Sequence, residues 1–303
     1  MTQPALSRSV KVLEEEVGSE LFERSATGVT PTDQGRLLIE RARALVSAAD
    51  ELEREVRRGR VPGAGQVVLG AGPYPAETIV PAALARFAAA HPLVRVRVLV
   101  RGDWDEMLRR LRTREVDLFV AETSTLDGEH DLDIEPMSRH PAYFVARPGH
   151  PLARRAVVRP EHTFRYPFLA LSRYPPRVLQ PMLATRRVSD DDRPGRPFPA
   201  IEIASLAAVK RLLANSDAIA PVTLPCVAAE LERGELVSLT TEPWISTAYG
   251  IVTLKGHARS AAATRFCEYL REAEAAILAE ESRLIARHAP GARAAPVRGR
   301  RAP

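Results

Sequence analysis

Cysteine is nearly absent. The 303 residues include only Cys226 and Cys267, far apart and in neither a CxxC nor a CxxH pair. That excludes a disulfide framework and a zinc ribbon, and leaves two small buried hydrophobes as the expectation. Long apolar runs are missing too: no eighteen consecutive apolar residues occur, so no transmembrane helix is expected. The opening MTQPALSRSV lacks the charged-then-apolar pattern of an export signal, which points to the cytoplasm and to no membrane partner. The seven histidines are scattered, His91 and His150 each stand before a proline, and none pair at metal-ligand spacing on a helix face. No metal and no cofactor are expected. Enzyme signatures are also lacking: there is no GxSxG, no HExxH and no P-loop, so no turnover is expected. Gly70-x-Gly72 follows a strand but has no third glycine, and Pro73 interrupts its turn. Asp103, Asp105 and Glu106 cluster at a helix start, where carboxylates favour the helix dipole.

Lysine is scarce, three (Lys11, Lys210, Lys255) of 43 basic residues, so forty are arginine. The net charge of +5 hints at an anionic partner. Its distribution weakens the hint, because residues 1–61 hold ten basic and eleven acidic side chains. Part of the excess is at the end, where Arg283, Arg287, Arg293, Arg298, Arg300 and Arg301 meet no acid after Glu281.

What is present reads as two folded units in an ordinary globular composition. Residues 2–17 predict a helix, capped by Thr2 and ended by Gly18, with Leu6, Val10, Leu13 and Val17 as one apolar stripe. LFERSATGVTPT (21–32) predicts a two-stranded excursion, and Thr32 can cap a helix from Asp33 to about Arg58. On it Leu38, Ala42, Leu45, Ala49, Leu52 and Val56 alternate at spacings of four and three, the narrow seam of a helix that pairs with its twin. GRVPGAG (59–65) is a composition break that predicts a hinge.

Beyond it the pattern alternates. Strands are predicted at 66–72, 94–100, 116–122, 142–146, 166–171, 201–204 and 218–222, and in LVSLT and YGIVTL. Helices are predicted at 77–90, 103–114, 205–215, 225–233 and 260–286. Such alternation predicts mostly parallel α/β sheets.

The string TQPALSRSVKVLEEEVGSELFERSATGVTPTDQGRLL resembles the head of the LysR-type transcriptional regulators. VVLGAGPYPAETIVPAALARFAAAHPLVRVRV, VDLFVAE and YFVARPGHPLA resemble that family's effector domain, so the likeness runs over about residues 2–280. It implies an α/β fold: a partial winged helix-turn-helix and linker helix, then two subdomains like a type II periplasmic binding protein. The implied boundaries are a DNA-binding segment 1–32, a dimerising linker helix 33–58, a hinge 59–65, an effector domain 66–288 and a disordered basic tail 289–303. Within the effector domain, 66–137 with 259–288 form one subdomain and 138–258 the other.

In the family the first helix here is the recognition helix, and about two helices precede it. The chain begins near its cap, so the resemblance implies a head truncated at its start and an apolar stripe left exposed. Gln3, Pro4, Ser7, Arg8 and Lys11 are implied to face DNA, with Thr30 in the wing. Gln3 and Ser7 have the chemistry to meet base edges, and Arg8 and Lys11 to hold phosphates. Thr27 stands where the family often has a basic residue. Pro73, Tyr74, Pro75, Thr123, Ser124, Ser172, Arg173 and Ser205 match the effector cleft. Arg173 could grip a carboxylate bidentately, and Tyr74, where many members have serine, could narrow the cleft or stack on a ring. The implied partners are promoter DNA, a small-molecule effector of the organic-anion kind, a second copy in a homodimer or homotetramer, and RNA polymerase. The alternative is a small-molecule-binding protein that dimerises through the linker helix without gripping DNA.

Overall fold

The computed structural model describes residues 3–25, 28–39, 41–42, 45–46, 49, 65–102, 104–126, 128–155, 157–171, 179–180, 182–184, 186, 197–240, 242–243 and 245–289. The chain divides into two compact units, Met1–Pro62 with Leu108–Val116, and Gly63–Met107 with Asp117–Pro303.

In the first unit a helix spans Gln3–Val17 and closes at Gly18, whose φ of 72° suits glycine in a helix-ending turn. The Gly18 N–H donates to the Glu14 carbonyl at 2.9 Å. The Glu14 carboxylate accepts from the Leu21 and Phe22 amides at 2.8 and 3.2 Å, so one side chain fixes the exit of the helix. Strands β1 (Phe22–Ser25) and β2 (Gly28–Pro31) follow as an antiparallel pair. Thr32 then caps the next helix as predicted: its hydroxyl accepts from the Gly35 amide at 3.0 Å and donates to the Glu20 carbonyl at 2.9 Å. Residues 33–39 are helical.

The second unit is built on a seven-stranded sheet of β3 (Gly65–Ala71), β4 (Val94–Val100), β5 (Leu118–Glu122), β6 (Leu132–Ala146), β9 (Ala220–Thr223), β10 (Val237–Ser238) and β11 (Ile245–Leu254). A short parallel pair, β7 (Leu169–Ala170) and β8 (Ile201–Glu202), stands beside it. Strand order is β10-β6-β11-β5-β3-β4, with β9 also on β6. β3 pairs in parallel with β4 and β5, as the alternating sequence predicted, but the sheet is not mostly parallel as expected, because the pairings β10–β6, β6–β9, β6–β11 and β11–β5 are antiparallel.

The long strands β6 and β11 run antiparallel, from Leu254 opposite Leu132 to Ile245 opposite Ala142. One part of β11 pairs with β5 of the first subdomain, while the far part of β6 pairs with β9 and β10 of the second. These two strands are the crossing connections of a periplasmic-binding-protein-like domain. Its core is continuous and includes Val67, Leu69, Phe87, Leu118, Tyr143, Leu206, Val209, Val222, Phe266 and Leu270.

Several expectations needed correction. The strand expected at 142–146 is the end of the fifteen-residue β6. Pro136 and Pro141 hid the rest, because proline cannot donate to a ladder and argues against an interior strand; the register shift at Ala248/Gly250 accommodates Pro136, which lies opposite Gly250. The helix expected at 77–90 divides at Thr78 into Pro73–Glu77 and Ile79–Ala90. The last helix, Ala261–His288, packs not only on the first subdomain's β3 and Ile79–Ala90 but also on Leu224–Val227 of the second. Gly65, placed in the hinge, is the first residue of β3. Ala289, assigned to the tail, is buried and ends the last helix. Residues 51–64 and 290–303 lie outside the described residues.

Candidate functional site

On the first helix, positions 3, 4, 7, 8 and 11 share one face by helical spacing. Ser7, Arg8 and Lys11 are exposed, and Lys11 makes a long 4.0 Å ion pair with Glu15. Thr30 is exposed on β2, opposite Glu23. The structure therefore presents Ser7, Arg8 and Lys11 together. Gln3 and Pro4 lie at the start of the same helix, and Thr27 lies outside the described residues. The apolar stripe is largely open to solvent, with Leu6 at 49% and Val17 at 44% exposure.

Sequence reasoning missed Gly35. A methyl group there would sit 2.0 Å from the Leu21 carbonyl oxygen, so the second helix approaches that buried turn closely enough to need glycine. Of the expected dimer seam, Leu38 is half-buried while Ala42, Leu45 and Ala49 are exposed; Leu52 and Val56 lie outside the described residues.

In the second unit β3 and β5 carry the expected cleft residues side by side. Ala71 is opposite Val120, and the Gly72 amide donates to the Val120 carbonyl at 2.9 Å. Pro73, Tyr74 and Pro75 thus start a helix next to Thr123 and Ser124. Ser205 caps the helix Leu206–Asn215, accepting from the Ala208 amide at 3.3 Å. Ser172 and Arg173 lie outside the described residues.

The described polar groups in this set are engaged internally. Thr123 donates its amide to the Ala248 carbonyl at 3.0 Å, and Ser124 uses amide and hydroxyl on the Glu122 carboxylate. Tyr74 is buried, and its hydroxyl donates to the Pro221 carbonyl of β9 at 2.9 Å, joining the two subdomains across the cleft. The prolines matter as well. A helix start binds an anion through free N–H groups, and Pro73 and Pro75 have none, while the Ala76 amide already donates to Gly72.

A separate open cavity of about 390 Å³ lies between Glu77 and the helix Leu206–Asn215, lined also by Lys210, Arg211, Glu230 and Glu235. None of the six expected effector residues that are described lines it.

Where β6 and β11 cross, His140 is buried with both ring nitrogens on carboxylates: Nε2 is 3.1 Å from Glu274 and Nδ1 3.2 Å from Glu281. Burial pushes its pKa down, but the hydrogen bonds to Glu274 and Glu281 outweigh that and hold it at about 9. Burial pushes Glu281 up despite His140. The Cys226 thiol is pushed up to about 12 by burial, so neither thiolate chemistry nor ligation suits it. Among the described residues no cluster could hold a metal ion, and no helix is long and apolar enough to cross a membrane.

Residues 1–36 match the family described as the bacterial regulatory helix-turn-helix protein, lysR family, and residues 62–275 match the LysR substrate binding domain. The chain belongs to the LysR family. It is 37% identical over 268 residues to the SDS degradation transcriptional activation protein of a Pseudomonas species, covering 87% of this chain and 85% of that one. It is 30% identical to the regulator GalR of Pseudomonas putida, over 90% of this chain and 67% of the relative. Two LysR-fold structures align over most of the chain. CbnR aligns with a TM-score of 0.62 at 15% identity, covering 90% of each chain. LysG of Corynebacterium glutamicum, solved with bound effector Arg, aligns with a TM-score of 0.59 at 18% identity, covering 91% of this chain and 90% of that one. At that identity the likeness is one of fold. This LysR-family chain is a ligand-responsive, DNA-binding transcriptional regulator.

Proposed function

We propose that the regulator reads promoter DNA through Gln3, Pro4, Ser7, Arg8 and Lys11, with Thr30 on the backbone. A small-molecule effector enters between the ends of β3 and β5 and the start of the helix Leu206–Asn215. The observation that carries this reading is the Tyr74–Pro221 bond at 2.9 Å, which spans the cleft where an effector must compete or assist. Copies pair through Leu38, Ala42, Leu45, Ala49, Leu52 and Val56, giving a homodimer or homotetramer on a pseudo-palindromic site. By linkage, an effector that favours one DNA-bound geometry binds more tightly in that geometry. The chain acts without turnover, in the cytoplasm, and meets RNA polymerase at the promoter.

The effector class follows from two facts. The prolines remove donors from the first subdomain's loop, so an acidic head group is met from the second subdomain, at Ser205 and Arg173. Tyr74 shares a buried core with Leu171 and Leu206, apolar side chains that an alkyl chain would meet if the Tyr74–Pro221 contact opened. With the likeness to a regulator named for SDS degradation, this makes an alkyl sulfate the effector of choice and activation the outcome.

The test is calorimetric titration with hexyl sulfate below its micellar range, in parallel with hexanol and inorganic sulfate. Saturable binding of hexyl sulfate alone, weakened by Tyr74→Ala, supports the assignment. Equal heats for all three compounds, or none, remove it.

A further inference from the structure

We infer that His140, Glu274 and Glu281 form a proton-held clasp that fastens the helix Ala261–His288 across the crossing of β6 and β11, so that proton release loosens the hinge between the subdomains. The importance of that hinge for effector response rests on the function proposed above; the clasp itself rests on geometry.

The ladder between β6 and β11 shifts register at Ala248/Gly250, where β6 carries one extra residue, so that Met137 and Ser138 together lie opposite the single Tyr249. The Ser138 amide, released from the ladder, donates to the Glu274 carboxylate at 3.0 Å. His140 pairs with Thr247 in the ladder, and its ring stacks on Tyr249 with centroids 5.0 Å apart. Glu274 and Glu281 are seven residues apart, two turns, and so reach the imidazole from one helix face.

That helix touches both subdomains, packing on Ile79–Ala90 and β3 at one side of the crossing and on Leu224–Val227 at the other. A bidentate Arg271–Glu135 pair, at 2.5 and 2.7 Å, holds the same helix to β6 on the exposed flank. The clasp thus sits where relative motion of the subdomains must shear the helix against the strands.

Its charge balance makes it proton-dependent. One imidazolium faces two buried carboxylates, and Glu274 Oε2 and Glu281 Oε1 have no hydrogen-bond partner among the described residues. Among the described residues, the imidazole meets Glu274 and Glu281 from the helix and Tyr249 from β11, while Ser138 of β6 reaches Glu274, Tyr143 of β6 lies near Glu281, and Thr247 of β11 donates to the His140 carbonyl. Cys226 lies behind Tyr249 from the Leu224–Val227 turn. No other cation is among them. Losing the histidine proton leaves buried carboxylates without a counter-charge, which favours lifting the helix towards water. While doubly protonated, the ring donates from both nitrogens and has no lone pair to offer a metal ion.

The test uses the full chain without DNA or effector, so its failure and failure of the regulator reading are separate results. Nitrogen-15 histidine NMR follows each ring from pH 6 to 10, with His140→Gln identifying the resonance. Hydrogen exchange, corrected for intrinsic rates, follows the amides of β6, β11 and the last helix. The expected result is a His140 ring doubly protonated through pH 8 that releases its proton near 9. Protection at the crossing falls tenfold or more over that interval, while β3 and β4 keep theirs. Glu281→Gln, which keeps a hydrogen-bonding side chain, moves both events down by ~1 pH unit. A ring titrating near 6.5, protection that ignores the proton, or an unshifted Glu281→Gln profile overturns the inference.

Discussion

Replacing Tyr74 with phenylalanine removes one oxygen from a buried contact between the two subdomains. Its hydroxyl is 2.9 Å from the Pro221 carbonyl, and the ring is only 9% exposed, so water cannot readily replace the lost donor. A hydrogen bond of this kind contributes ~1 kcal/mol net, and an abandoned buried acceptor costs about 1–3 kcal/mol. The expected loss is therefore about 1–2 kcal/mol, or roughly 2–8 °C in the midpoint of the larger unit. Tyr74→Ala empties the ring site as well and costs about 3–5 kcal/mol, so the two variants separate the bond from the packing. Differential scanning calorimetry of the full chain reads the midpoint, and hydrogen exchange reads the Val222 and Thr223 amides beside the carbonyl. An unchanged midpoint with unchanged exchange in Tyr74→Phe would show that the hydroxyl does not hold the cleft, and the reasoning fails.

Gly35→Ala drives a methyl group into the Leu21 carbonyl; urea unfolding of the head should show a loss of about 1–3 kcal/mol, and wild-type stability would contradict the close approach. The folded His140 pKa of about 9 lies above its ordinary 6.5, so its stabilisation is complete below pH 6.5 and lost as pH rises through 9. That loss is on the order of 3 kcal/mol; melting midpoints should fall over this range in the wild type and stay level above pH 8 in His140→Gln. Arg8→Ala should weaken binding to all DNA sequences and reduce the salt slope by ~1, whereas Gln3→Ala should cost about 1–3 kcal/mol only on the preferred sequence. Anisotropy titrations on specific and scrambled duplexes distinguish the two patterns.

The head was legible because local rules decide it: Leu6, Val10, Leu13 and Val17 mark one face, Gly18 stops the helix, and Thr32 caps the next. The parallel strands β3, β4 and β5 were legible for the same reason, being short apolar runs bounded by helices. The crossing strand β6 was not, since Pro136 and Pro141 break the local pattern and only the register shift at Tyr249 makes room for it. Long-range polar partners were equally hidden. His140 is 134 and 141 residues from its two glutamates, and Tyr74 is 147 from Pro221, so no window of sequence holds both members. Gly35 carried a faint signal, a glycine inside a helical pattern, which usually marks close backbone approach. The cleft was located by resemblance, but which of its polar groups are already engaged could be read only from the folded arrangement.

The most direct test of the regulator account is fluorescence anisotropy of the protein with its labelled upstream promoter region against a scrambled duplex, titrated with salt. The account predicts tighter binding to the promoter and a steep linear fall in log affinity with log salt as phosphate contacts are released. Binding that is absent, or indifferent to both sequence and salt, would contradict it.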